Sequence, residues 1–297
     1  MTSDRVTTAD GVRLHVETSG DGPPLLFIHE FAGDHRSWAR QVEHFGERYR
    51  CIVYAARGFP PSDVPSDLAA YSQDHAVSDA VAVLDASGVD RAHVVGLSMG
   101  GFAALHLALR HPARTRSIVV GGTGYGAAAE TRDQFRRECQ AIADAIRSEG
   151  TAAFAERYAV GPARVQLQSK NPEAWRTFAA QLAEHSAEGS ALTMLGVQRE
   201  RPSLYDLADE LARLSVPALI LVGDEDDGCL ETSLMLKRTI PTAGLTVLPR
   251  TGHTSNLEDP DAFNRAVEDF LTAVDRGAWT PRDPRSLARG ITGMDEG

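Results

Sequence analysis

A Gly-x-Ser-x-Gly pattern covers residues 96–100 and places Ser98 between two glycines. The apolar run over residues 92–96 predicts a short buried strand, and apolar residues at helical spacing after Gly101 predict a helix. A serine at such a sharp strand-to-helix turn is held in strained backbone geometry, and the flanking glycines let its hydroxyl reach solvent. A bare pattern of this kind also occurs by chance in glycine-rich turns, but the flanking strand and helix favour a nucleophile.

His253 is the candidate base for Ser98. A serine hydroxyl is a poor nucleophile at neutral pH and needs a base, usually a histidine that a carboxylate orients. On a serine turn of this kind the chain order is serine, acid, histidine. Of the ten histidines, only His253 follows the last carboxylate-bearing strand end, and it lies in a turn-rich loop over residues 249–256.

Four acidic residues, Asp224 to Asp227, follow an apolar strand pattern and contain the candidate acid. The Gly-x-x-Asp spacing favours Asp226 as the residue that orients His253, with Asp227 as the second choice. Asp224 and Glu225 are expected to face solvent or to shape the turn. The cluster lacks the alternating oxygen ligands and the closing glutamate of a calcium loop, so no metal site is predicted.

The backbone N–H groups of Phe31 and Met99 are candidates for an oxyanion hole. Attack on a carbonyl creates an oxyanion, which preorganised N–H groups stabilise. Met99 follows the serine, and Phe31 lies in the loop after the third predicted strand. Glu30 lies in the same loop. An inward Glu30 would contact the substrate and select cationic or hydrogen-bond-donating molecules, but an outward, solvated side chain is favoured.

Strand and helix patterns divide the chain into a core, an insertion and a tail. Apolar runs alternate with helical patterns within residues 1–124 and 207–275, which predicts an α/β core with a mainly parallel sheet. Residues 125–206 predict a helical insertion over the carboxyl edge of the sheet, which we interpret as a lid. Residues 276–297 lose periodicity and are expected to form an extended or disordered tail.

Composition indicates a globular protein that acts on small molecules. The chain has 297 residues, 42% of them hydrophobic, and a net charge of −11, which argues against nucleic-acid or anionic-membrane partners. A small-molecule substrate is expected, and homodimerisation is left open. No signal-peptide pattern or membrane-length apolar run is found, so a cytoplasmic location is expected. Cys51, Cys139 and Cys229 lack disulfide or metal spacing and are expected to be buried thiols.

Residues 122–127 fit Gly-x-Gly-x-x-Ala after an apolar strand, as at the start of a dinucleotide-binding fingerprint. The next strand, with its ribose-binding acid, would fall near residues 141–150, where the pattern is helical. No cofactor is therefore predicted.

Together, these motifs resemble the α/β-hydrolase superfamily over residues 12–274. The segments that carry the resemblance are Phe27-Ile28-His29, Arg57-Gly58 with Ser62, Gly96 to Gly101, Gly223 to Asp226, and Gly252-His253 with Asn256 to Pro260. Tyr71-Ser72, Asp79 and Gly-Leu-Ser-Met-Gly-Gly are similar to 3-oxoadipate enol-lactonases and related esterases. The resemblance implies an eight-stranded, mainly parallel sheet flanked by helices, with a helical lid inserted after the sixth strand. It also implies cofactor-independent catalysis by Ser98, Asp226 and His253.

Two segments depart from the usual pattern of the superfamily. His29-Glu30 stands where His-Gly is usual, and residues 57–60 read Arg-Gly-Phe-Pro where Arg-Gly-His-Gly is frequent. The Gly-Pro-Gly-Ala oxyanion loop of the carbon–carbon-bond hydrolases of aromatic ring cleavage is absent, which makes their reaction a weaker expectation.

Three functions fit these residues. The leading hypothesis is hydrolysis of a small carboxylic ester or lactone through an acyl-enzyme. The second is hydrolysis of a carbon–carbon bond in a vinylogous diketone, for which the same residues suffice. The third is a ligand receptor that keeps the triad with little turnover.

Overall fold

An eight-stranded sheet runs through residues 2–287, the part of the chain that the computed structural model describes. Its strands are β1 (Thr2–Thr7), β2 (Arg13–Ser19), β3 (Pro24–Ile28), β4 (Arg50–Tyr54), β5 (Ala92–Leu97), β6 (Thr115–Gly121), β7 (Ala218–Gly223) and β8 (Ala243–Leu248). Their order across the sheet is β1-β2-β4-β3-β5-β6-β7-β8. β2 pairs antiparallel with β1 and β4, and all other neighbours are parallel. The predicted mainly parallel, eight-stranded α/β sheet is confirmed.

Burial on both faces explains why the central strands are apolar along their whole length. All six residues of β5 are buried, and successive side chains of a strand point to opposite faces. Val94 therefore joins the same buried cluster as Leu26 on one face, whereas Val95 joins Phe27 on the other.

Helices cover both faces of the sheet. They are α1 (Ala39–Phe45), α2 (Gln73–Ala86), α3 (Met99–Arg110), α4 (Ala129–Tyr158), α5 (Val165–Lys170), α6 (Pro172–Ala183), α7 (Ala187–Leu192), α8 (Ala208–Leu211), α9 (Asp227–Thr239), α10 (Ser255–Glu258) and α11 (Pro260–Asp275). α2, α3 and α9 pack on one face, and α1 and α11 on the other. Within residues 2–287, no helix has both the length and the apolar content needed to cross a membrane.

Helices α4 to α7 and the π-helical turn Thr193–Gln198 form a helical insertion between β6 and β7. Apolar side chains of the insertion, including Ile146 and Leu167, share a third buried cluster with Phe31 and Met99 at the carboxyl ends of the strands. The insertion therefore rests on the sheet edge where open α/β folds bind their ligands.

Residues 276–287 follow α11 as an irregular segment with one 3₁₀ turn, Pro284–Leu287. Trp279 anchors this segment, because its ring lies edge-on to Phe270 at 4.7 Å and its Nε1 donates to the Thr242 carbonyl at 2.8 Å. The first part of the predicted tail is thus attached to the core. The rest of that prediction, residues 288–297, lies outside the described residues.

Candidate active site

Ser98 occupies the sharp turn between β5 and α3. Its φ of 52° and ψ of −113° are values that residues with a side chain rarely adopt, at a cost of about 1–3 kcal/mol. Both flanking glycines are required, since a Cβ at Gly96 would lie 2.0 Å from the Gly100 carbonyl oxygen and a Cβ at Gly100 would lie 2.0 Å from the Ile28 oxygen. Ser98 is half-buried at the tip of this turn.

His253 and Asp226 form a buried hydrogen-bonded pair. His253 Nδ1 lies 2.8 Å from Asp226 Oδ2, and the two residues are 4% and 2% exposed. Because a carboxylate oxygen accepts, Nδ1 carries the single proton of the neutral ring, which leaves Nε2 free to accept a proton. Burial opposes ionisation of Asp226, but the charge and hydrogen bond of His253 outweigh it and lower the pKa of the carboxyl. Burial also disfavours protonation of His253, yet Asp226 raises its pKa.

The other three acids of the cluster do not contact His253. Asp227 is exposed and begins α9. Asp224 and Glu225 are exposed as well, and Asp224 Oδ1 accepts from the Thr251 N–H at 3.1 Å, which shapes the turn. Of the two candidate acids, the structure therefore brings Asp226 and not Asp227 to the histidine.

Ser98 and the His253–Asp226 pair lie on either side of the end of β6. The Ser98 N–H donates to Gly121 O at 2.8 Å, and a Cβ on the next residue, Gly122, would lie 3.4 Å from both Asp226 Oδ2 and His253 Nδ1. Among the described residues, the Ser98 hydroxyl makes no hydrogen bond to His253. The structure thus brings the candidate base His253 and the candidate acid Asp226 into contact and places Ser98 across one strand end from them.

Glu258 holds the loop that carries His253. Its buried carboxylate accepts from the Gly252 N–H at 2.6 Å, from the Thr254 N–H at 2.9 Å and from the Thr254 hydroxyl at 2.9 Å. Glu258 belongs to the segment Asn256 to Pro260, which carries part of the family resemblance, but the sequence assigned it no role of its own. Its role could not be predicted because two of its three partners are backbone groups that almost any residue supplies.

His29 fixes the peptide that carries the Phe31 N–H. Its Nε2 accepts from the Ala56 N–H at 3.0 Å, so Nδ1 carries the ring proton and donates to the Glu30 carbonyl at 2.7 Å. Burial lowers the pKa of His29 to about 4, which keeps the ring neutral near pH 7. The carbonyl and the following N–H of a trans peptide point in opposite directions, so fixing the Glu30 carbonyl also fixes the Phe31 N–H.

The two candidate oxyanion-hole N–H groups remain available. Within residues 2–287, the Phe31 N–H has no protein acceptor. Met99 is the first residue of α3, where backbone N–H groups lack intrahelical partners and the helix dipole favours negative charge. The loop before Phe31 lies directly against the serine turn, since a Cβ at Gly100 would lie 2.8 Å from the His29 oxygen.

Glu30 is buried, and the expectation of an outward, solvated side chain was wrong. Its Oε2 lies 2.5 Å from Arg164 Nη2, and the two residues are 3% and 0% exposed. Arg164 also donates to the Tyr158 hydroxyl at 3.1 Å and lies over the Tyr158 and Phe178 rings. No local pattern pointed to this partner, because Arg164 comes from the helical insertion, far from Glu30 along the chain.

The segment after Arg164 packs on the loop of His253. Helix α5 begins at the next residue, and a Cβ on Gly252 would lie 3.4 Å from Gln166 Cβ. Lys170 Nζ, at the end of α5, donates to Thr251 Oγ1 at 3.1 Å. The insertion therefore contacts both the loop of residues 29–33 after β3, the candidate oxyanion loop, through Glu30, and the loop of the candidate base.

Two further side chains lie beside the His253–Asp226 pair. The Tyr125 ring is edge-on to the His253 ring at 5.4 Å. Tyr125 belongs to residues 122–127, the segment that fits Gly-x-Gly-x-x-Ala, and this segment leads from β6 past the candidate base. Cys229 Sγ lies within 4.8 Å of the donor atoms of Asp226 and His253. Burial raises the pKa of Cys229 well above its usual value, so the thiol stays protonated.

Known proteins share this architecture. A family model described as alpha/beta hydrolase fold matches residues 23–260. The chain belongs to the α/β-hydrolase family. Among curated relatives of this hydrolase, 3-oxoadipate enol-lactonase 2 from Acinetobacter baylyi is 31% identical over 264 residues, which cover 88% of this chain and 94% of the relative. A 2-hydroxymuconate semialdehyde hydrolase from a Pseudomonas species is 32% identical, with 92% and 95% covered.

Solved structures agree with this assignment. A thermophilic esterase from Thermogutta terrifontis matches this hydrolase with a TM-score of 0.80 at 28% identity, covering 92% of this chain and 99% of that one. The predicted membership of the superfamily is confirmed. The relatives include lactonases, esterases and carbon–carbon-bond hydrolases, so they identify a hydrolase without identifying its substrate.

Proposed function

We propose that this α/β hydrolase cleaves small carboxylic esters or lactones through an acyl-enzyme on Ser98, without a cofactor. The observation that carries the proposal is the buried His253–Asp226 pair, which lies across the end of β6 from the strained Ser98 turn. The pair offers an unprotonated Nε2, and the turn offers a hydroxyl. These are the base and the nucleophile that acyl transfer requires.

In the proposed first step, Ser98 Oγ attacks the carbonyl carbon while His253 Nε2 takes the hydroxyl proton. The Ser98–His253 hydrogen bond forms in the substrate complex, as catalytic hydrogen bonds commonly tighten there. The carbonyl oxygen becomes an oxyanion held by the N–H groups of Phe31 and Met99, each worth about 10²–10³ in rate. Asp226 stabilises the imidazolium and keeps its tautomer fixed.

The tetrahedral intermediate then breaks the bond to the leaving alcohol, and His253 returns the proton to the departing oxygen. The acyl group stays on Ser98 as an ester. A water molecule, deprotonated by His253, attacks this ester and releases the carboxylic acid and the serine hydroxyl. For a lactone, both product groups stay on one molecule, because the leaving oxygen is tethered to the acyl chain.

The Glu30–Arg164 pair favours a substrate that carries a second hydrogen-bond acceptor in addition to the reacting carbonyl. Arg164 Nε and Nη1 are buried, and they find no acceptor within residues 2–287. A buried donor without a partner is costly, and a carboxylate or carbonyl oxygen of the substrate would satisfy it. In this proposal Glu30 acts on the substrate through Arg164, whose charge it balances, and does not bind a cationic substrate itself.

Hydrolysis of a carbon–carbon bond in a vinylogous diketone is the second candidate. It is favoured by the 32% identity to a protein named 2-hydroxymuconate semialdehyde hydrolase. The same serine, histidine and aspartate would serve, with a carbon leaving group taking the proton. We rank it second because the Gly-Pro-Gly-Ala oxyanion loop of carbon–carbon-bond hydrolases is absent from this sequence, and because lactonase and esterase relatives support the ester and lactone reaction.

The proposal is tested with a substrate panel assayed on the wild type and on Ser98→Ala. The panel holds short-chain aryl esters, enol-lactones with and without a carboxylate, and a dienoate of the vinylogous diketone class. We expect turnover of esters or lactones that Ser98→Ala abolishes. Turnover of the dienoate alone would establish the second candidate. Labelling of Ser98 by a fluorophosphonate without turnover of any substrate would contradict the enzyme assignment and favour a receptor.

A further inference from the structure

Outside the candidate active site, two histidines and a glutamate of the kind that can bind a metal ion lie close together. His15 and Glu17 are two residues apart on β2, so their side chains point to the same face of the sheet. His35 begins the 3₁₀ turn His35–Trp38 beyond the oxyanion loop. Their donor atoms lie within 4.8 Å of one another, with Glu17 Oε1 at 3.0 Å from His15 Nε2 and at 3.6 Å from His35 Nε2.

We propose that His15, Glu17 and His35 bind one divalent first-row transition-metal ion through His15 Nε2, Glu17 Oε1 and His35 Nε2. Two imidazoles and a carboxylate are a common ligand set for Zn²⁺ and its neighbours. Ligands about 2.0–2.2 Å from a tetrahedral ion lie about 3.3–3.5 Å from one another, which the distances of 3.0 and 3.6 Å bracket. The donor atoms of His15 and His35 lie within 4.8 Å of one another, so metal binding would also draw the two rings together.

The surrounding contacts hold the His15 backbone and leave room for His35 to adjust. The His15 backbone is fixed against the segment after β4, since its N–H donates to Ser62 Oγ at 2.8 Å and its carbonyl accepts from the Ala55 N–H at 3.0 Å. His35 Nδ1, the ring nitrogen not used for the metal, has no hydrogen-bond partner within residues 2–287, and the Asp34 carboxylate lies 3.6 Å from it. A small ring rotation would let Nδ1 donate to this carboxylate, an arrangement that fixes a ligating histidine.

The site is open to solvent on one side. Glu17 and His35 line a cavity of about 430 Å³ that also contacts α1 and α6. His35 itself is 6% exposed, so the ion would enter from the cavity side. Water in the cavity would complete its coordination. The site would link β2 to the turn that follows the oxyanion loop, and the inference does not depend on the proposed hydrolysis.

The experiment is Zn²⁺ titration of chelator-treated full-length protein by isothermal calorimetry. We expect one Zn²⁺ per chain, and binding at least about tenfold weaker in Glu17→Gln and in His35→Gln. The control is His44→Gln, which removes a surface histidine 3.3 Å from Glu268. Within residues 2–287 this pair has no third metal-ligating side chain beside it, so the variant should bind Zn²⁺ as the wild type does. Circular dichroism and thermal melting without metal verify that each variant is folded.

A second readout keeps the inference testable if the variants fold poorly. Co²⁺ bound to the wild type at this site should show ligand-field bands without thiolate charge transfer. A thiolate band would place the ion instead at Asp226, Cys229 and His253 and would overturn the proposal. No stoichiometric Zn²⁺ binding, or equal binding by Glu17→Gln and the wild type, would overturn it as well. The His15–Glu17 contact would then be a hydrogen bond only.

Discussion

Glu30 Oε2 and Arg164 Nη2 lie 2.5 Å apart although 134 residues separate them along the chain. The ion pair joins the oxyanion loop to the helical insertion, and the segment after Arg164 packs on the loop of His253. Glu30, which stands where glycine is usual, therefore connects the loop of the Phe31 N–H to the loop of His253 through the helical insertion.

The stabilising effect of each charge in the Glu30–Arg164 pair should depend on the presence of the other. Removing one partner leaves the other buried and uncompensated, so Glu30→Met or Arg164→Met should each lower the free energy of unfolding by about 3–5 kcal/mol. The double variant Glu30→Met/Arg164→Met should lose much less than the sum. Urea unfolding of the four proteins checks this coupling, and additive losses would mean that the pair contributes nothing as a pair.

Arg164 should strengthen the binding of substrates that carry a carboxylate in addition to the reacting carbonyl. We predict that a conservative Arg164→Lys variant, which keeps the charge but loses the unpartnered Nε and Nη1 donors, raises KM for carboxylate-bearing lactones or esters by about tenfold or more. Uncharged esters of similar size should change little. The matched control is Arg157→Lys, an exposed arginine paired with Glu149. Equal changes for both substrate classes would argue against a substrate contact.

Asp226 and Asp227 offer a matched pair of neighbouring carboxylates. Asp226→Asn should lower kcat by about 10⁴, because an amide at this position favours the wrong tautomer of His253. Asp227→Asn should leave kcat within about twofold, because Asp227 is exposed. Steady-state assays of both variants measure the difference. A larger loss in Asp227→Asn than in Asp226→Asn would reverse the assignment of the acid.

The pH dependence of activity should report the His253–Asp226 contact. His253 must be neutral to accept the Ser98 proton, so kcat/KM should fall as the pH drops through the pKa of His253. Asp226 raises this pKa, which places the acid limb above the ordinary value of about 6.5. In Asp226→Asn the limb should move to lower pH, because the stabilising negative charge is gone. If the acid limb of kcat/KM stays at the same pH in Asp226→Asn, a group other than the His253–Asp226 pair controls it.

The sequence was most informative where structure depends on local geometry and chain order. The strained turn at Ser98 could be predicted because two glycines, a strand and a helix are all needed there. The contact between His253 and Asp226 agrees with the chain order and with the spacing after Gly223, and their catalytic roles stay predictions. The parallel sheet was predictable because strands covered on both faces are apolar throughout, as β5 is.

Features that depend on distant contacts could not be predicted. The burial of Glu30 depends on Arg164, and the attachment of the tail depends on Trp279 packing against Phe270. The approach of His35 to His15 is of the same kind, since the path of the loop after β3 decides it. No local periodicity encodes such tertiary contacts.

The central claim, that Ser98 is the nucleophile, is tested most directly by kcat of Ser98→Ala on the best substrate of the panel. If Ser98, His253 and Asp226 act as a unit, kcat should fall by about 10⁶ while the variant remains folded. Retention of more than a few per cent of the wild-type kcat would contradict the account.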